Sequence, residues 1–426
     1  MMKQFDVIII GGGTSGMMAA ISAASLGAKT LIIEKNKMIG KKLLATGGGR
    51  CNVTNKRDVK DLIAHIPGNG KFLYSAFNEF DNYDIIEFFE SRGVALKEED
   101  HGRMFPITDS SKTIVDALTK EIKDLEVSLK YQKTVKSISY QNKQVVGLVL
   151  EDGEVLEAKA VIIACGGRAA PITGSSGDGY KWAKKAGHTI ERLYPTEVPI
   201  LSNESFIKDG TLMGLSLRDV ALSVLNKKEK EVVKHQMDVI FTHFGVSGPA
   251  ALRCSMFIHQ VMNKEQVDQV PMKLDVLPSL ESTQVLYTLQ SLQRDEGNKS
   301  VKNALKTMIP ERYAVFLLDQ LKIDLQTAIK SLHKNQLADI TNSIKNFRFF
   351  VHGTQPIEKA FVTGGGVSIK EVYPKTMGSK LVDGLYFAGE ILDINGYTGG
   401  FNITAAFVTG YVAGYNAAMH CFEIDS

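Results

Sequence analysis

The sequence predicts an α/β fold in which a parallel sheet is interrupted by a large insertion, and two observations support that prediction. Near the N-terminus, the apolar run "FDVIII" (5–10) passes directly into "GGGTSG" (11–16), an alanine-rich segment and a second apolar run, "TLIIEK" (30–35). Near the C-terminus, "LYFAG" (385–389) precedes Glu390, and a glycine pair then opens a helical segment at Phe401. The stretch between 193 and 350 lacks this pattern.

Composition narrows the class of protein before any motif is considered. The chain has 426 residues, of which 44% are hydrophobic, so it can bury the cores of more than one domain. A net charge of +3 is too small to indicate nucleic-acid binding by itself. The four cysteines are far apart with no Cys-x-x-Cys pair, which argues against a disulfide framework and against a metal site.

No stretch approaches the roughly 20 apolar residues that a membrane-spanning helix needs. The apolar run at the N-terminus is short and reads as a buried strand, not as a signal peptide. We therefore expect a cytoplasmic protein with reduced thiols and no membrane association. A monomer is compatible with the sequence, which does not fix the oligomeric state.

The first forty residues predict a Rossmann-like βαβ unit that binds a dinucleotide. "GGGTSG" fits the Gly-x-Gly-x-x-Gly fingerprint, in which Gly11 permits a tight turn, Gly13 lets a pyrophosphate approach and Gly16 allows close helix–strand packing. Backbone amides at the start of the helix then bind the phosphates. Glu34 ends the second strand, eighteen residues after Gly16, where a carboxylate accepts hydrogen bonds from a ribose.

The rest of the pattern selects FAD over NAD as the resident dinucleotide. A meander (133–157), a buried strand running into glycines in "AVIIACGGRAAP" (160–171), and the C-terminal strand with Gly389 and Glu390 follow in the order of a two-dinucleotide-fold flavoprotein. "FVTGGGVSI" (361–369) has glycines but no helix behind them, and we interpret it as a turn near the flavin. Without a second fingerprint, NADH or NADPH is expected to visit only transiently, as the electron donor to a non-covalent FAD.

The predicted cofactor-binding residues come from six stretches of the chain that surround such a site. They are Gly11, Gly13, Thr14, Ser15, Gly16, Glu34, Lys35, Lys42, Thr46, Gly48, Arg50, Val135, Cys165, Gly166, Gly167, Gly389, Glu390, Asp393, Gly399, Gly400, Phe401 and Asn402. Among them, Thr46, Lys42 and Arg50 are expected to meet phosphate or flavin oxygens.

The insertion predicts strands followed by short amphipathic helices. Four stretches read as strands, namely "LYPTEVPILS", "LSLRDVALSVLN", "EVVKHQMDVIFTHF" and "PMKLDVLP". Four more read as helices, namely "ESTQVLYTLQSLQRDEG", "SVKNALKTMI", "ERYAVFLLDQL" and "LADITNSIKNF". We divide the chain into an FAD-binding domain (1–192 and 353–426), an inserted β-barrel-like domain (193–278 and 340–352) and a small helical subdomain (279–339).

Six motifs together resemble the BaiN/RdsA-type FAD-dependent oxidoreductases, also described as NAD(FAD)-utilising dehydrogenases or aminoacetone-oxidase-like flavoproteins. They are "GGGTSG", "KKLLATGGGRCNVTN", "HGRMFP", "GSSGDGYKWAKKAGH", "FTHFGVSGPAAL" and "GLYFAGEILDINGYTGGFNITAAF", spread between residues 11 and 407. The resemblance implies a flavin domain with an inserted β-barrel-like domain and a helical domain. It also implies reduction of conjugated C=C bonds, in steroid-like enones or in a uridine ring of large-subunit ribosomal RNA.

Two residues are candidates for the catalytic chemistry. Reduction of a polarised C=C needs a proton at the carbon next to the one that receives hydride, and a thiol is a competent donor. Cys51, beside the glycine triplet, is the candidate donor, with a packing role behind the flavin as the alternative. The resemblance implies that His243 lies close to the flavin, whereas His101 and Tyr397 are weaker candidates.

Three functions remain open at the level of sequence. The first is an NAD(P)H-dependent reductase of a conjugated C=C bond, in a small molecule or an RNA base. The second reverses electron flow, as an amine or alcohol oxidase or dehydrogenase. The third is a non-catalytic flavin-carrying module that binds RNA or a protein, with the lysine-rich stretch at 226–235 as a solvated hairpin or a polyanion contact.

Overall fold

A computed structural model describes residues 3–425, and the chain divides into two compact units. The first unit combines Met1–Tyr194 with Ala360–Ser426, and the second is Pro195–Lys359. The sequence predicts the corresponding boundaries after residues 192 and 352. A separate helical subdomain within the insertion stays a prediction.

The first unit contains twelve of the described strands and eight of the described helices. Its strands are β1 (Lys3–Ile10), β2 (Thr30–Glu34), β3 (Thr54–Asn55), β4 (Leu96–Glu99), β5 (Arg103–Pro106), β6 (Ser128–Tyr131), β7 (Val135–Gln141), β8 (Gln144–Leu150), β9 (Val155–Ile163), β10 (Ile190–Thr196, which ends across the boundary), β18 (Val362–Val367) and β19 (Leu385–Phe387). Its helices are α1 (Thr14–Ser25), α2 (Lys41–Leu44), α3 (Val59–Ala64), α4 (Tyr74–Glu79), α5 (Asn82–Glu90), α6 (Ser111–Asp124), α7 (Asp178–Lys185) and α14 (Phe401–Asp425).

The main sheet of the first unit has the order β6-β2-β1-β9-β8-β7, with β19 paired to β9. Strands β6, β2, β1, β9 and β19 run parallel, whereas β7, β8 and β9 form an antiparallel meander. The central strand β1 is buried over Val7–Ile10, which explains its uninterrupted apolar sequence. The predicted Rossmann-like sheet with a β-meander is therefore confirmed.

Helices α1 and α14 pack against each other through small residues. A Cβ atom added at Gly414 would lie 2.1 Å from the carbonyl oxygen of Ala19, and one added at Gly410 would lie 2.4 Å from that of Ser15. Only glycine permits this approach, which brings the start of α14 beside the sheet edge where α1 begins. The segment "FVTGGGVSI" differs from the prediction, because it forms the buried strand β18 paired with β10, not a turn.

The second unit contains seven strands and six helices among the described residues. They are β11 (Ile200–Leu201), β12 (Ser216–Leu225), β13 (Glu231–Phe241), β14 (Gly245–Ser247), β15 (Val270–Asp275), β16 (Phe347–Val351), β17 (Gly353–Thr354), α8 (Ser205–Lys208), α9 (Pro249–Glu265), α10 (Ser282–Asp295), α11 (Val301–Leu305), α12 (Glu311–Gln320) and α13 (Lys334–Lys345). The sheet order is β16-β15-β12-β13-β14-β11-β17, so its two edge strands are joined through the single residue His352.

One apolar cluster holds the second unit together, with Phe206, Tyr313 and Phe349 among its buried members. Three of the four predicted strands and all four predicted helices are present, whereas "LYPTEVPILS" contains the end of β10 and the short β11 instead of one strand. The sequence analysis missed the short α8 and the long α9, although Pro249 after Gly248 is a helix-start signal.

Candidate flavin site

In the turn between β1 and α1, Gly11 and Gly16 lie too close to other backbone atoms for a side chain, whereas Gly13 has free space beside it. A Cβ atom on Gly11, whose φ is +107°, would lie 2.7 Å from the carbonyl oxygen of Ala164 at the end of β9. A Cβ atom on Gly16 would lie 1.9 Å from the carbonyl oxygen of Gly11. At Gly13 an added Cβ would meet no protein atom within 4 Å. The backbone at Gly13 therefore faces open space, as a site for a pyrophosphate requires.

The N-terminus of α1 supplies donors to that open space. Gly13 is the N-cap and has no side chain, so the amides of the first turn receive no side-chain cap. Ser15 is buried, and its hydroxyl donates to the carbonyl of Ala388 at 3.3 Å. Thr14, the first residue of the helix, is half-buried. Uncapped amides at a helix N-terminus form an anion site, so the residues here fit the phosphates of a dinucleotide.

Glu34 is fixed at the C-terminal end of β2. Its Oε2 accepts from the amide of Gly12 at 2.8 Å, and its Oε1 accepts from the amide of Asn36 at 2.7 Å. The side chain is 7% exposed, so these bonds hold an otherwise unfavourable buried carboxylate beside the glycine turn. This is where the fingerprint requires a ribose acceptor.

Lys35 has a protein partner where the sequence predicts a cofactor contact. Its Nζ lies 2.8 Å from Oδ2 of Asp178 and also donates to Ser176. Although partial burial raises the pKa of Asp178, its hydrogen bonds with Lys35 and Ser176 lower that pKa overall. Lys35 therefore ties the "GSSGDG" segment to the end of β2.

The end of β9 meets two elements of the C-terminal part at the predicted Gly166 and Gly167. A Cβ atom on Gly167 would lie 2.4 Å from Oγ1 of Thr363 and 3.2 Å from Oε1 of Glu390. The Thr363 hydroxyl accepts from the amides of Arg168 and Ala169, each at 2.9 Å. Thr363 was missed by the sequence analysis, because the "VTGGG" segment was interpreted as a turn.

Lys42 and Glu390, 348 residues apart, form an ion pair of 2.5 Å. The other oxygen of Glu390 accepts from the amide of Thr363 at 2.7 Å, so the carboxylate is held at both ends. Gly389, which precedes it, has φ +76° and packs against Ser15. The structure thus brings together the predicted residues of α1, α2 and the segment after β19.

The backbone of the loop "TGGGRC" explains why the sequence has three consecutive glycines there. Gly47, Gly48 and Gly49 have φ of +57°, +67° and +88°, a run of left-handed backbone that other residues rarely adopt. Cys51 is a non-glycine residue with φ +60°, and its side chain is completely buried. Burial raises the pKa of the Cys51 thiol to about 12, although a hydrogen bond with Thr46 opposes the shift.

Arg50 is held by carboxylates of the protein. Its guanidinium donates to both oxygens of Glu99, at 2.7 and 3.1 Å, and to Asp109 at 3.2 Å, and it stacks 4.1 Å from the ring centre of Phe105. The sequence predicts an anionic oxygen of the cofactor as the partner of Arg50, whereas the partners in the structure are anionic side chains. A bidentate carboxylate satisfies the same planar donors.

The segment after Cys51 binds the N-terminus of α14. The hydroxyls of Thr54 and Thr404 lie 2.8 Å apart, and Nδ2 of the Asn55 side chain donates to the carbonyl of Gly399 at 3.0 Å. A Cβ atom on Gly400, whose φ is +97°, would lie 2.8 Å from the carbonyl oxygen of Thr54. Thr54 and Asn55 were not predicted as site residues, although they lie within the quoted loop motif.

Other predicted residues at α14 have structural partners. Asn402 accepts from the amide of Gly396 at 2.7 Å and donates to its carbonyl at 2.8 Å, which fixes the preceding turn. The ring of Phe401 stacks on His65 with centroids 4.7 Å apart, and Tyr397 meets His65 edge-on at 6.2 Å. His65 is a further residue that the sequence analysis missed.

Three remaining predictions fall at the margins of this cluster. Asp393 accepts from the side chain of Asn69 at 2.9 Å, and burial together with the charge of Glu191 raises its pKa. Val135 is a buried residue at the start of β7. Burial raises the pKa of the Cys165 thiol to about 12, and its Sγ would lie 2.6 Å from a Cβ atom on Gly179.

His243 belongs to the second unit, where it is exposed in the turn between β13 and β14. Its ring meets Phe244 edge-on at 4.9 Å. His101 is also exposed, with φ +63°, and its carbonyl accepts from Asn55. The catalytic roles of His243 and Cys51 stay predictions.

Three buried asparagine side chains among the described residues of the first unit carry atoms without a hydrogen-bond partner. They are Asn52 and Asn82, each through Oδ1, and Asn395, through both Oδ1 and Nδ2. Such atoms are costly to leave unsatisfied, and they fit a site completed by a polar ligand. With the open backbone at Gly13 and the uncapped start of α1, they indicate that the residues present fit FAD.

This fold and this site define a class of protein, the flavoproteins with a Rossmann-type FAD-binding domain. The chain matches the family described as "HI0933-like protein Rossmann domain" over residues 5–416 and belongs to that family of FAD-dependent oxidoreductases. The predicted family resemblance, the FAD cofactor and the oxidoreductase class are thereby confirmed.

Named relatives match the chain over almost its full length. It is 30% identical over 413 residues to a 3-dehydro-bile acid delta(4,6)-reductase of Clostridium scindens, covering 96% of this chain and 98% of that protein. It is 31% identical over 413 residues to the ribosomal RNA dihydrouridine synthase of Escherichia coli (strain K12), covering 96% and 97%.

A solved structure supports the fold alone. The 3-ketosteroid delta1-dehydrogenase from Sterolibacterium denitrificans has a TM-score of 0.53 at 14% identity, covering 98% of this chain and 100% of that one. Across residues 3–425 of the present chain, none of the helices is both long and apolar enough to span a bilayer. The same residues include no cluster of three or more His, Cys, Asp or Glu side chains arranged for a metal ion.

Proposed function

We propose that this protein reduces a C=C bond conjugated to a carbonyl group, with electrons from NADH or NADPH that pass through FAD. One observation carries the proposal: two relatives matched over 96% of the chain are named for such a reaction. A 3-dehydro-bile acid with delta(4,6) unsaturation is a conjugated enone, and dihydrouridine is a uracil ring whose conjugated C=C is saturated. The two names share one bond type and differ in the size of the molecule that carries it.

Bound FAD would supply a hydride equivalent to one carbon of the double bond. The protein must then deliver one proton to the neighbouring carbon, so that two electrons and two hydrogens are added in total. We assign that proton to Cys51. Burial raises the pKa of its thiol to about 12, so the sulfur is protonated at neutral pH, but the same shift makes it a weaker acid than an ordinary thiol.

The left-handed backbone supports a role for Cys51 beyond packing. A non-glycine residue at φ +60° is uncommon, and such positions cluster at functional sites. The fixed position of the loop follows from its contacts with α14, through Thr54 and Asn55. A catalytic role for His243, which belongs to the second unit, stays part of the proposal.

The substrate class is tested in cells and in solution. Ribosomal RNA from cells with and without the gene is compared for dihydrouridine, and the purified holoenzyme is assayed without oxygen with 3-keto-4-ene steroids and NADH or NADPH. Loss of one dihydrouridine on deletion, or saturation of the enone, supports the proposal. Absence of both activities, with rapid flavin reduction by amines or alcohols, would replace it with an oxidase or dehydrogenase.

A further inference from the structure

A buried hydrogen-bond acceptor lies beside the N-terminus of α14 without a protein partner. Asn52 is 7% exposed, and its Oδ1 is completely buried. This oxygen lies 3.2 Å from the position that a Cβ atom on Gly400 would take. A buried amide oxygen without a donor is unfavourable, so its retention in a well-packed loop calls for a ligand.

Two neighbours of Asn52 in the loop after Cys51, Thr54 and Asn55, form hydrogen bonds with the C-terminal part of the chain. The Thr54 hydroxyl meets that of Thr404 at 2.8 Å, and Nδ2 of Asn55 donates to the carbonyl of Gly399 at 3.0 Å. One contact is made with the N-terminal part of α14 and the other with the turn just before it. Asn52 lies beside Gly400 at the start of the same helix, but its Oδ1 accepts no hydrogen bond from the protein.

The first turn of α14 offers donors that complement this acceptor. Its first intrahelical bond runs from the amide of Thr404 to the carbonyl of Gly400 at 2.9 Å, so the amides of 401–403 precede the helical ladder. These N–H groups form the positive end of a 25-residue helix. Donors from the helix and an acceptor from Asn52 therefore lie side by side.

We propose that Asn52 and the start of α14 together recognise the edge of a cyclic imide, which presents a carbonyl, an N–H and a second carbonyl in a row. The Asn52 oxygen accepts from the imide N–H, and the helix amides donate to a flanking carbonyl. The flavin carries this edge on its pyrimidine ring, at N3. We assign Asn52 to the flavin because FAD is resident and the first unit supplies all these groups.

A uracil base has the same imide edge, so the experiment separates the two sources. The full-length apoprotein is reconstituted with FAD or with FAD methylated at N3, which lacks the N–H, and the two dissociation constants are measured by flavin fluorescence. The unaltered protein is expected to prefer FAD about tenfold, the usual effect of one hydrogen bond to a buried group. Asn52→Leu and Asn52→Ala should weaken FAD binding and bring the ratio of the two constants close to one.

Two further variants keep the test interpretable. Asn52→Asp retains an acceptor and should keep the preference for FAD. Asn82→Ala is the matched control, since Asn82 is fully buried, its Oδ1 likewise lacks a protein partner, and its Nδ2 supports the same loop by donating to the carbonyl of Asn55 at 2.9 Å. This variant should weaken the binding of FAD and of N3-methylated FAD equally and leave the ratio of the two dissociation constants unchanged.

The assignment is overturned if Asn52→Leu and Asn52→Ala discriminate between the two cofactors as strongly as the unaltered protein. It is also overturned if these variants lose discrimination only between uridine and 3-methyluridine in a substrate, which would assign Asn52 to the base. The inference rests on FAD binding and not on the identity of the reduced C=C bond. Its failure would leave the proposed reductase activity standing.

Discussion

The hydroxyl groups of Thr54 and Thr404 lie 2.8 Å apart, although 350 residues separate them in the chain. Both side chains are completely buried, and the Thr404 hydroxyl also reaches the carbonyl of Gly400 at 3.0 Å. This pair joins the loop that carries Cys51 to the first turns of α14. Contacts such as this bring the two motifs together.

The first prediction concerns that pair. Thr54→Val and Thr404→Val should each lower the free energy of unfolding by about 1–2 kcal/mol, because a buried hydroxyl loses its partner. The double variant should cost less than the sum of the two, with a coupling of about 0.5–1.5 kcal/mol. Urea unfolding of the apoprotein gives the free energy of unfolding of the unaltered protein, the two single variants and the double variant. Strict additivity would show that the two hydroxyls do not interact.

The second prediction separates the fingerprint glycines by their surroundings. Gly13→Ala should leave apoprotein stability within about 0.5 kcal/mol, since the added methyl meets no protein atom, but should lower FAD affinity at least about tenfold. Gly16→Ala should destabilise the fold by about 1–3 kcal/mol, because its methyl would lie 1.9 Å from a backbone oxygen. Thermal unfolding and FAD titration of both variants provide the readouts.

The opposite pattern would contradict this assignment of roles. If Gly13→Ala unfolded easily while binding FAD normally, the open space at Gly13 would not be the pyrophosphate site.

The third prediction follows from the shifted pKa of the Cys51 thiol. An ordinary thiol loses its proton near pH 8.5, whereas burial raises the pKa of Cys51 to about 12. Between these values the unfolded chain has lost the proton and the folded chain keeps it. Stability should therefore fall as pH rises through this window, by up to about 1.4 kcal/mol per pH unit from this group.

Cys51→Ala should make that fall shallower by the same amount. Urea unfolding of the apoprotein at several pH values from 8 upward gives the slope for both proteins. Identical slopes would mean that the thiol titrates alike in the folded and unfolded chains.

The fourth prediction concerns the proposed proton donor. Cys51→Ala should leave flavin reduction by NADH or NADPH near the unaltered rate but slow reoxidation by the unsaturated substrate about 100-fold or more. Stopped-flow absorbance of the flavin separates the two half-reactions. Cys421→Ala is the control, since that buried thiol contacts the carbonyl of Asp6. Equal reoxidation rates in Cys51→Ala and the unaltered protein would show that Cys51 has only a packing role.

Local patterns predicted much of the fold, and pairings across the chain account for what they missed. The glycine turn and Glu34 were predictable because each depends on single residue types at fixed positions. The turn needs residues without a side chain, and the end of β2 needs a carboxylate. The carboxylate partner of Arg50 was not predictable, because Glu99 lies 49 residues away and no local feature indicates it. Thr363 was missed because its segment was interpreted as a turn, and its partners at 168 and 169 belong to another part of the chain.

Reduction of a conjugated C=C bond through FAD can be tested in a single anaerobic turnover. The holoenzyme is reduced with nicotinamide cofactor deuterated at C4, mixed with the enone or uridine-containing RNA, and the product is analysed by mass spectrometry. We expect one saturated bond per flavin reoxidised, with one hydrogen delivered through the flavin and one taken from solvent by way of the protein. Flavin that reoxidises only when oxygen is admitted, with no saturated product from either class, would contradict it.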